Sequence, residues 1–181
     1  VWAHRGASAY APENTLEAFR LAAEMGADGV ELDVQLSRDG ELVVAHDETI
    51  DRVSSGTGYI KDYTLAQLKK LSFNRLFPNF KDARIPTLKE VYELLKPAGL
   101  TVNVELKTGI ILYPEIEEKV LALTASMGME DRVIYSSFCH PSLVRLKELD
   151  SGLKTGLLYS DGWIGAADYG RRTVGADALH P

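Results

Sequence analysis

Glu31 and Asp33 interrupt an otherwise apolar run, Gly29-Val30-Glu31-Leu32-Asp33-Val34, and a second run repeats the pattern as Val102-Asn103-Val104-Glu105-Leu106-Lys107. Side chains alternate across a strand, so Glu31 and Asp33 share one face while Val30, Leu32 and Val34 share the other. Asn103, Glu105 and Lys107 likewise share a face. Desolvating a carboxylate is costly unless something pairs with it, and a metal ion is a common solution. Three acids at strand ends with a lysine beside them read as a hard-cation site next to an anion. All-oxygen ligation by Glu31, Asp33 and Glu105 points to Mg²⁺ or Ca²⁺ rather than zinc. Arg5 offers a planar fork of donors suited to phosphate, and Lys107 a point charge. His4 and His46 supply the groups that titrate near neutral pH, as an acid–base pair requires.

These residues need elements to place them. Strands are expected at Val1–Ala3, Gly29–Gln35, Leu42–Ala45 (a hairpin partner after Arg38-Asp39-Gly40), Thr101–Lys107, Val133–Phe138 and Lys154–Tyr159, with a stub at Asp177–Pro181. Helical patterns fall at Thr15–Met25, Leu65–Leu71, Leu88–Leu95 (stopped by Pro97 and Gly99), Pro114–Met127, Pro141–Leu149 and Ile164–Thr173. Alternating strands and helices predict an α/β fold with a parallel sheet covered by helices. His4-Arg5, Glu31/Asp33, His46, Glu105/Lys107 and Ser136/Ser137 all lie at or near the C-terminal ends of strands, where (β/α) barrels place their chemistry. The count gives six parallel strands and one hairpin strand, whereas a closed barrel of this type needs eight. An open arc is therefore expected, with a gap between the strands of Val1–His4 and Asp177–His180.

Composition sets modest bounds. At 181 residues and 45% hydrophobic the chain can bury one substantial core, and no linker-like shift divides it, so residues 1–181 read as a single domain. The net charge of −6, with both signs interspersed, argues against nucleic acid as a partner. One cysteine, Cys139, excludes an intramolecular disulfide and suits a reducing, cytoplasmic compartment. The first residue is Val1 rather than Met, which leaves an upstream signal peptide open. No apolar run approaches the ~20 residues of a membrane span. A homo-oligomer remains open.

His4-Arg5-Gly6, Pro12-Glu13-Asn14-Thr15, Glu31-Leu32-Asp33-Val34, His46-Asp47 and Glu105-Leu106-Lys107, in that order, closely resemble the glycerophosphodiester phosphodiesterases. The resemblance extends to Asp51-Arg52, Gly56-Thr57-Gly58, Ile85-Pro86-Thr87-Leu88 and Ser137-Phe138. It implies a TIM-type (β/α) barrel with a small insertion after strand two, here roughly residues 47–84, and with no counterpart here for the last two strands. It also implies metal-dependent hydrolysis of a small glycerophosphodiester to sn-glycerol 3-phosphate and an alcohol. The equivalents of His4 and His46 serve as general acid and base, and a glycerol hydroxyl attacks first, giving a cyclic phosphate that water opens.

Each assignment has a plainer competitor. Glu31 and Asp33 could pair with Arg5 and Lys107 alone, although three acids against two bases leave a charge for a cation. Asn14 is either a cap of the helix near Thr15 or a substrate contact. Phe138 is either core or an apolar wall of the substrate site. Trp2, alternating with His4, is expected to pack inside the barrel, and His180 lies where it could reach the site. Cys139 reads as a bystander, and Gly56-Thr57-Gly58 as a turn. Two other functions stay in view. One is a lysophospholipase D-like phosphodiesterase, to which Phe73, Leu76, Phe77 and Phe80 would lend apolar contacts. The other is a non-catalytic phosphate- or metal-binding relative.

Overall fold

A computed structural model describes residues 1–181. Strand β1 (Trp2–His4) is followed by α1 (Leu16–Glu24), β2 (Gly29–Leu36) and its antiparallel hairpin partner β3 (Leu42–Val44). A lobe containing the short α2 (Leu65–Leu68) leads to α3 (Leu88–Ala98), β4 (Thr101–Leu106), α4 (Ile116–Met127), β5 (Val133–Ser137), α5 (His140–Leu149), β6 (Thr155–Leu158), α6 (Ala166–Asp168) and β7 (Ala178–His180). The six strands other than β3 are parallel, in the order β1-β2-β4-β5-β6-β7, and form a curled arc in which β1 and β7 end the path.

Local sequence explains the helix ends. Thr15 caps α1 through its hydroxyl, and Thr87 with Glu90 forms a reciprocal capping box on α3. α3 runs past Pro97 to Ala98, because a proline in the last turn removes only one backbone bond, and Gly99 then stops it in the left-handed conformation. The helix expected at Ile164–Thr173 is instead three residues of α6 and a wide π-helical turn, Tyr169–Val174. Gly170 lets that turn pack closely against β7: a Cβ there would come within 2.9 Å of the Leu179 side chain.

The register fixes which face does what. Val30, Leu32, Val34, Val102, Val104, Leu106, Tyr135 and Leu157 point outward, and all are buried under Phe19, Val91, Leu95, Ile116, Val120, Leu143 and neighbouring helical residues. Burying that much aliphatic surface, at about 25 cal/mol per Å², is what holds the arc and its helices together. The inner face carries the polar partners: His4 pairs with Glu31, Glu31 with Asn103, Asp33 with Glu105, and Glu105 with Ser136. Residues 47–84 have a second, smaller core, in which Ile50, Ile60, Leu68 and Phe73 pack with Val43, Ala45 and Ile85. That lobe sits over the end of β2 and β3. Trp2 does face the inside as expected, lying over Gly29, but it stays 46% exposed rather than packed away. No helix is long and apolar enough to cross a membrane.

Candidate active site

Glu31, Asp33 and Glu105 each present a carboxylate oxygen, and these three atoms lie within 4.8 Å of one another on the inner face. The two central parallel strands bring them together: Asp33 is directly opposite Glu105, and Glu31 sits one layer below. The Asp33 side chain is fully buried and the other two nearly so. Burial, reinforced by Asp33 and Glu105, pushes the Glu31 carboxyl up to about 8. Glu105 is raised in the same way, by burial and then by Asp33. Glu31 Oε1 and Asp33 Oδ1 have no hydrogen-bond partner although both are buried.

Basic groups approach this cluster from two sides. Lys107, one residue beyond β4, donates to Glu105 Oε1 at 2.9 Å and lies 3.8 Å from Asp33 Oδ1. Arg5, just after β1, donates its backbone N–H to both the carbonyl oxygen and Oε2 of Glu31 at 3.1 Å, and its Nε lies 3.6 Å from Asp33 Oδ2 without a hydrogen-bond partner. Asn14 donates through Nδ2 to Asp33 Oδ2 at 2.8 Å. Asn14 is therefore not the cap of α1, a role Thr15 fills, but a donor to one of the three acids.

Of the two histidines, His4 reaches an acid directly and His46 is held by the segment after β3. His4 Nε2 is 3.8 Å from Glu31 Oε2, its ring is largely exposed, and burial of its remainder followed by the charge of Arg5 lowers its pKa. His46 follows β3 and is held by Asp47 at 2.6 Å from Nδ1. A carboxylate only accepts, so Nδ1 carries the hydrogen and Nε2 is left free. Gln35, at the end of β2, fixes this segment by donating to the carbonyls of Ala45 and Asp47 at 2.9 and 2.7 Å while accepting from the Tyr113 hydroxyl. Burial tends to raise Asp47, but Arg52 and His46 outweigh it and hold the carboxyl at about 2.

Phe138 lies just beyond β5 and is 50% exposed, so it is not core. His180 lines a hollow of about 400 Å³ with Trp2, Glu31 and Asn103, its ring crossing Gly156 where any Cβ would collide with it. His140 uses both ring nitrogens, on the Tyr169 hydroxyl and the Leu158 carbonyl, and so gives Cys139 no base. Gly56-Thr57-Gly58 is a turn, tied by Asp51 and Tyr63. Glu13, Gln35 and Arg52 were not singled out as site residues by their chemistry. Only their place in the Pro12-Glu13-Asn14-Thr15 and Asp51-Arg52 motifs signalled the first and last of them.

A family model described as the glycerophosphoryl diester phosphodiesterase family matches residues 4–181. The chain belongs to that family. Membership makes it an enzyme of the phosphodiesterase class. It is 50% identical, over its whole length and 74% of the relative's, to a glycerophosphodiester phosphodiesterase of Caldanaerobacter subterraneus subsp. tengcongensis. It is 42% identical, with the same coverage, to one of Bacillus altitudinis. Among solved structures it is similar to an Oleispira antarctica phosphodiesterase in complex with the product sn-glycerol-3-phosphate, with a TM-score of 0.86 and 32% identity over 99% of this chain and 73% of that one. A glycerophosphodiester phosphodiesterase from Thermotoga maritima matches at a TM-score of 0.78 and 35% identity, over 99% of this chain and 71% of that one.

Proposed function

We propose that the protein hydrolyses glycerophosphodiesters to sn-glycerol 3-phosphate and an alcohol, with Glu31, Asp33 and Glu105 holding a divalent cation, Mg²⁺ or Ca²⁺. The observation that carries this reading is the convergence of three buried carboxylates, with Glu31 Oε1 and Asp33 Oδ1 left unpartnered. Arg5 and Lys107 alone leave one acid unneutralised, and a hard cation fits an all-oxygen donor set. Such a cation, when bound, would polarise a phosphoryl oxygen.

The chain's own residues do the rest. Arg5 and Lys107 orient the phosphate and offset its charge, Asn14 steadies Asp33, and Phe138 walls the apolar side of the substrate. His4 and His46 form the proton-transfer pair. One accepts the proton of the attacking glycerol hydroxyl while the other delivers a proton to the departing alkoxide, yielding a cyclic phosphate and free alcohol. In the second half the roles reverse: water loses a proton to one imidazole, and the glycerol oxygen that leaves phosphorus receives one from the other. In this reading residues 1–181 act as one domain of a TIM-type (β/α) barrel, with residues 47–84 an insertion after its second strand and the last two strands of the barrel not represented among them.

A second reading, cleavage of lysophospholipids, draws on exposed apolar side chains in the loops beyond β4, β5 and β6: Ile110, Leu112, Phe138, Trp163 and Ile164. The lobe aromatics lend it little, since Phe73 is buried and Phe77 and Phe80 pack edge to face against each other. The test is product release from glycerophosphocholine, glycerophosphoethanolamine and lysophosphatidylcholine, in EDTA and with Mg²⁺ or Ca²⁺. Cation-dependent formation of glycerol 3-phosphate from the first two is expected. Hydrolysis unaffected by EDTA, or none with any substrate, would overturn the reading.

A further inference from the structure

We propose that Arg52 is a positioning residue for the reaction: its guanidinium clamps Glu13 and Asp47 together and through them holds Arg5 and His46 in working orientation. This rests on the reading of His46 as a proton-transfer group.

The geometry is a row of alternating charge. Arg52 Nη1 and Nη2 donate to Glu13 Oε2 and Oε1 at 2.7 and 2.8 Å, and its Nε and Nη2 donate to Asp47 Oδ2 and Oδ1 at 2.7 and 3.1 Å. Four of the five N–H groups a guanidinium carries are thus committed to two carboxylates in one plane. The same Glu13 Oε1 accepts from Arg5 Nη1 at 3.0 Å, and the same Asp47 Oδ1 holds His46 Nδ1 at 2.6 Å. Glu13 comes from the loop after β1, Asp47 from the segment after β3, and Arg52 from the lobe, anchored beside buried Ile50. One side chain therefore ties the loop after β1 to the start of the lobe. The Arg52 side chain is 40% exposed while Glu13 and Asp47 are more covered, so the clamp lies at the rim of the site and acts through its geometry rather than through exclusion of water.

Two consequences follow for chemistry. Asp47, immobilised by Arg52, fixes the Nδ1–H tautomer of His46 and aims Nε2, much as a buried carboxylate orients a catalytic imidazole. Glu13, immobilised from the same side, takes one Arg5 nitrogen out of play and sets the direction of the others. Lysine could supply the charge but not the fork.

The experiment compares Arg52→Gln, Arg52→Lys, Asp47→Asn and His46→Ala with the unmodified chain, using steady-state kinetics, ¹⁵N NMR of the His46 ring, and thermal unfolding. Arg52→Gln should lower kcat/KM by roughly 10²-fold, the usual effect of misaligned catalytic groups, with the His46 ring becoming a mixture of tautomers. Arg52→Lys should recover only part of this, remaining about tenfold low. Combining Arg52→Gln with His46→Ala should cost clearly less than the product of the two single losses, the remainder being the part that acts through Glu13 and Arg5. If Arg52→Gln does not fold, Asp47→Asn breaks the same link from the other side and should give the same loss of kcat and of a single tautomer. Full activity in Arg52→Lys, or an unchanged ring spectrum in Arg52→Gln, would overturn the clamp even with His46→Ala inactive. Full activity in His46→Ala would instead overturn the reading beneath it.

Discussion

Cation-free protein should lose stability as pH rises from 5 to 8, chiefly through Glu31, with the Glu105 carboxyl raised in the same sense. The Glu31 carboxyl is raised to about 8 from an ordinary 4.5, by burial first and then by Asp33 and Glu105. The folded state therefore binds this proton more tightly than the unfolded chain does. Stability from that proton is complete below about pH 4.5, declines through the interval, and is gone above pH 8. At about 1.4 kcal/mol per pH unit, a shift of three to four units corresponds to at most about 5 kcal/mol. The Glu31 side chain is 14% exposed, and Arg5 donates to it, so a realised loss of about 2–3 kcal/mol is the working figure. His4 and His180 have lowered pKa values and contribute with the opposite sign near pH 6.5. Asp47 and Glu13, both lowered, lose their contribution only below this window. The informative quantity is thus the difference between the wild-type chain and Glu31→Gln, measured by urea unfolding at pH 5, 6, 7 and 8 in EDTA. Glu31→Gln should flatten the decline and be the more stable protein at pH 8. Millimolar Ca²⁺ or Mg²⁺ should reverse the slope for wild type alone, because a bound cation favours the ionised carboxylate. A wild-type curve that is flat or rising in EDTA, or identical in Glu31→Gln, would refute the argument.

Replacing either His4 or His46 with Ala should lower turnover by roughly 10²–10⁴-fold while cation affinity, followed by calorimetry, stays close to wild type. Asp33→Asn should instead weaken cation binding, with activity partly restored by excess cation. Gly6→Ala should destabilise by about 2–4 kcal/mol in urea unfolding, since φ is +77° and the new Cβ would stand 2.7 Å from the Ala18 backbone carbon of α1. Gly26→Ala, at the same φ with nothing within 4 Å, should cost only about 1 kcal/mol.

The inner face was legible because its signal is local. Period-two alternation places Glu31, Asp33, Glu105 and Lys107 on one side of two strands, and the parallel register of β2 and β4 then leaves them no other arrangement. The hairpin β2–β3 and most helix boundaries follow from equally local chemistry, such as the Thr87–Glu90 capping box. Two kinds of feature were not. The π-helical turn at Tyr169–Val174 brings Gly170 under the Leu179 side chain of β7, a packing that the helical periodicity of Ile164–Thr173 does not encode. The bonds joining Arg52 to Glu13 span 39 residues between two loops, and surface arginines and glutamates are usually solvated singly. Exposure removes the core reading of Phe138, and a hydrogen bond to Asp33 gives Asn14 a role that neither of its two readings named.

The loop after β1 shows why the His4-Arg5-Gly6 and Pro12-Glu13-Asn14-Thr15 segments take the form they do. Arg5 and Asn14 both adopt left-handed backbone, at φ 58° and 55°, a conformation costing a non-glycine residue about 1 kcal/mol or more. They are hydrogen-bonded to each other, the Asn14 N–H donating to the Arg5 carbonyl at 3.0 Å. The Arg5 N–H continues the β1–β2 ladder onto Glu31, the left-handed turn at Arg5 then leads the chain out of the strand, and the Asn14 amide reaches Asp33. Gly6 completes the reversal where α1 comes too close for any side chain. Relaxed backbone at Asn14 would withdraw a donor from the buried Asp33 carboxylate, at a cost of about 1–3 kcal/mol. The strain at Asn14 persists because it is smaller than the desolvation it prevents, and the helix capped by Thr15 is thereby tied to Asp33.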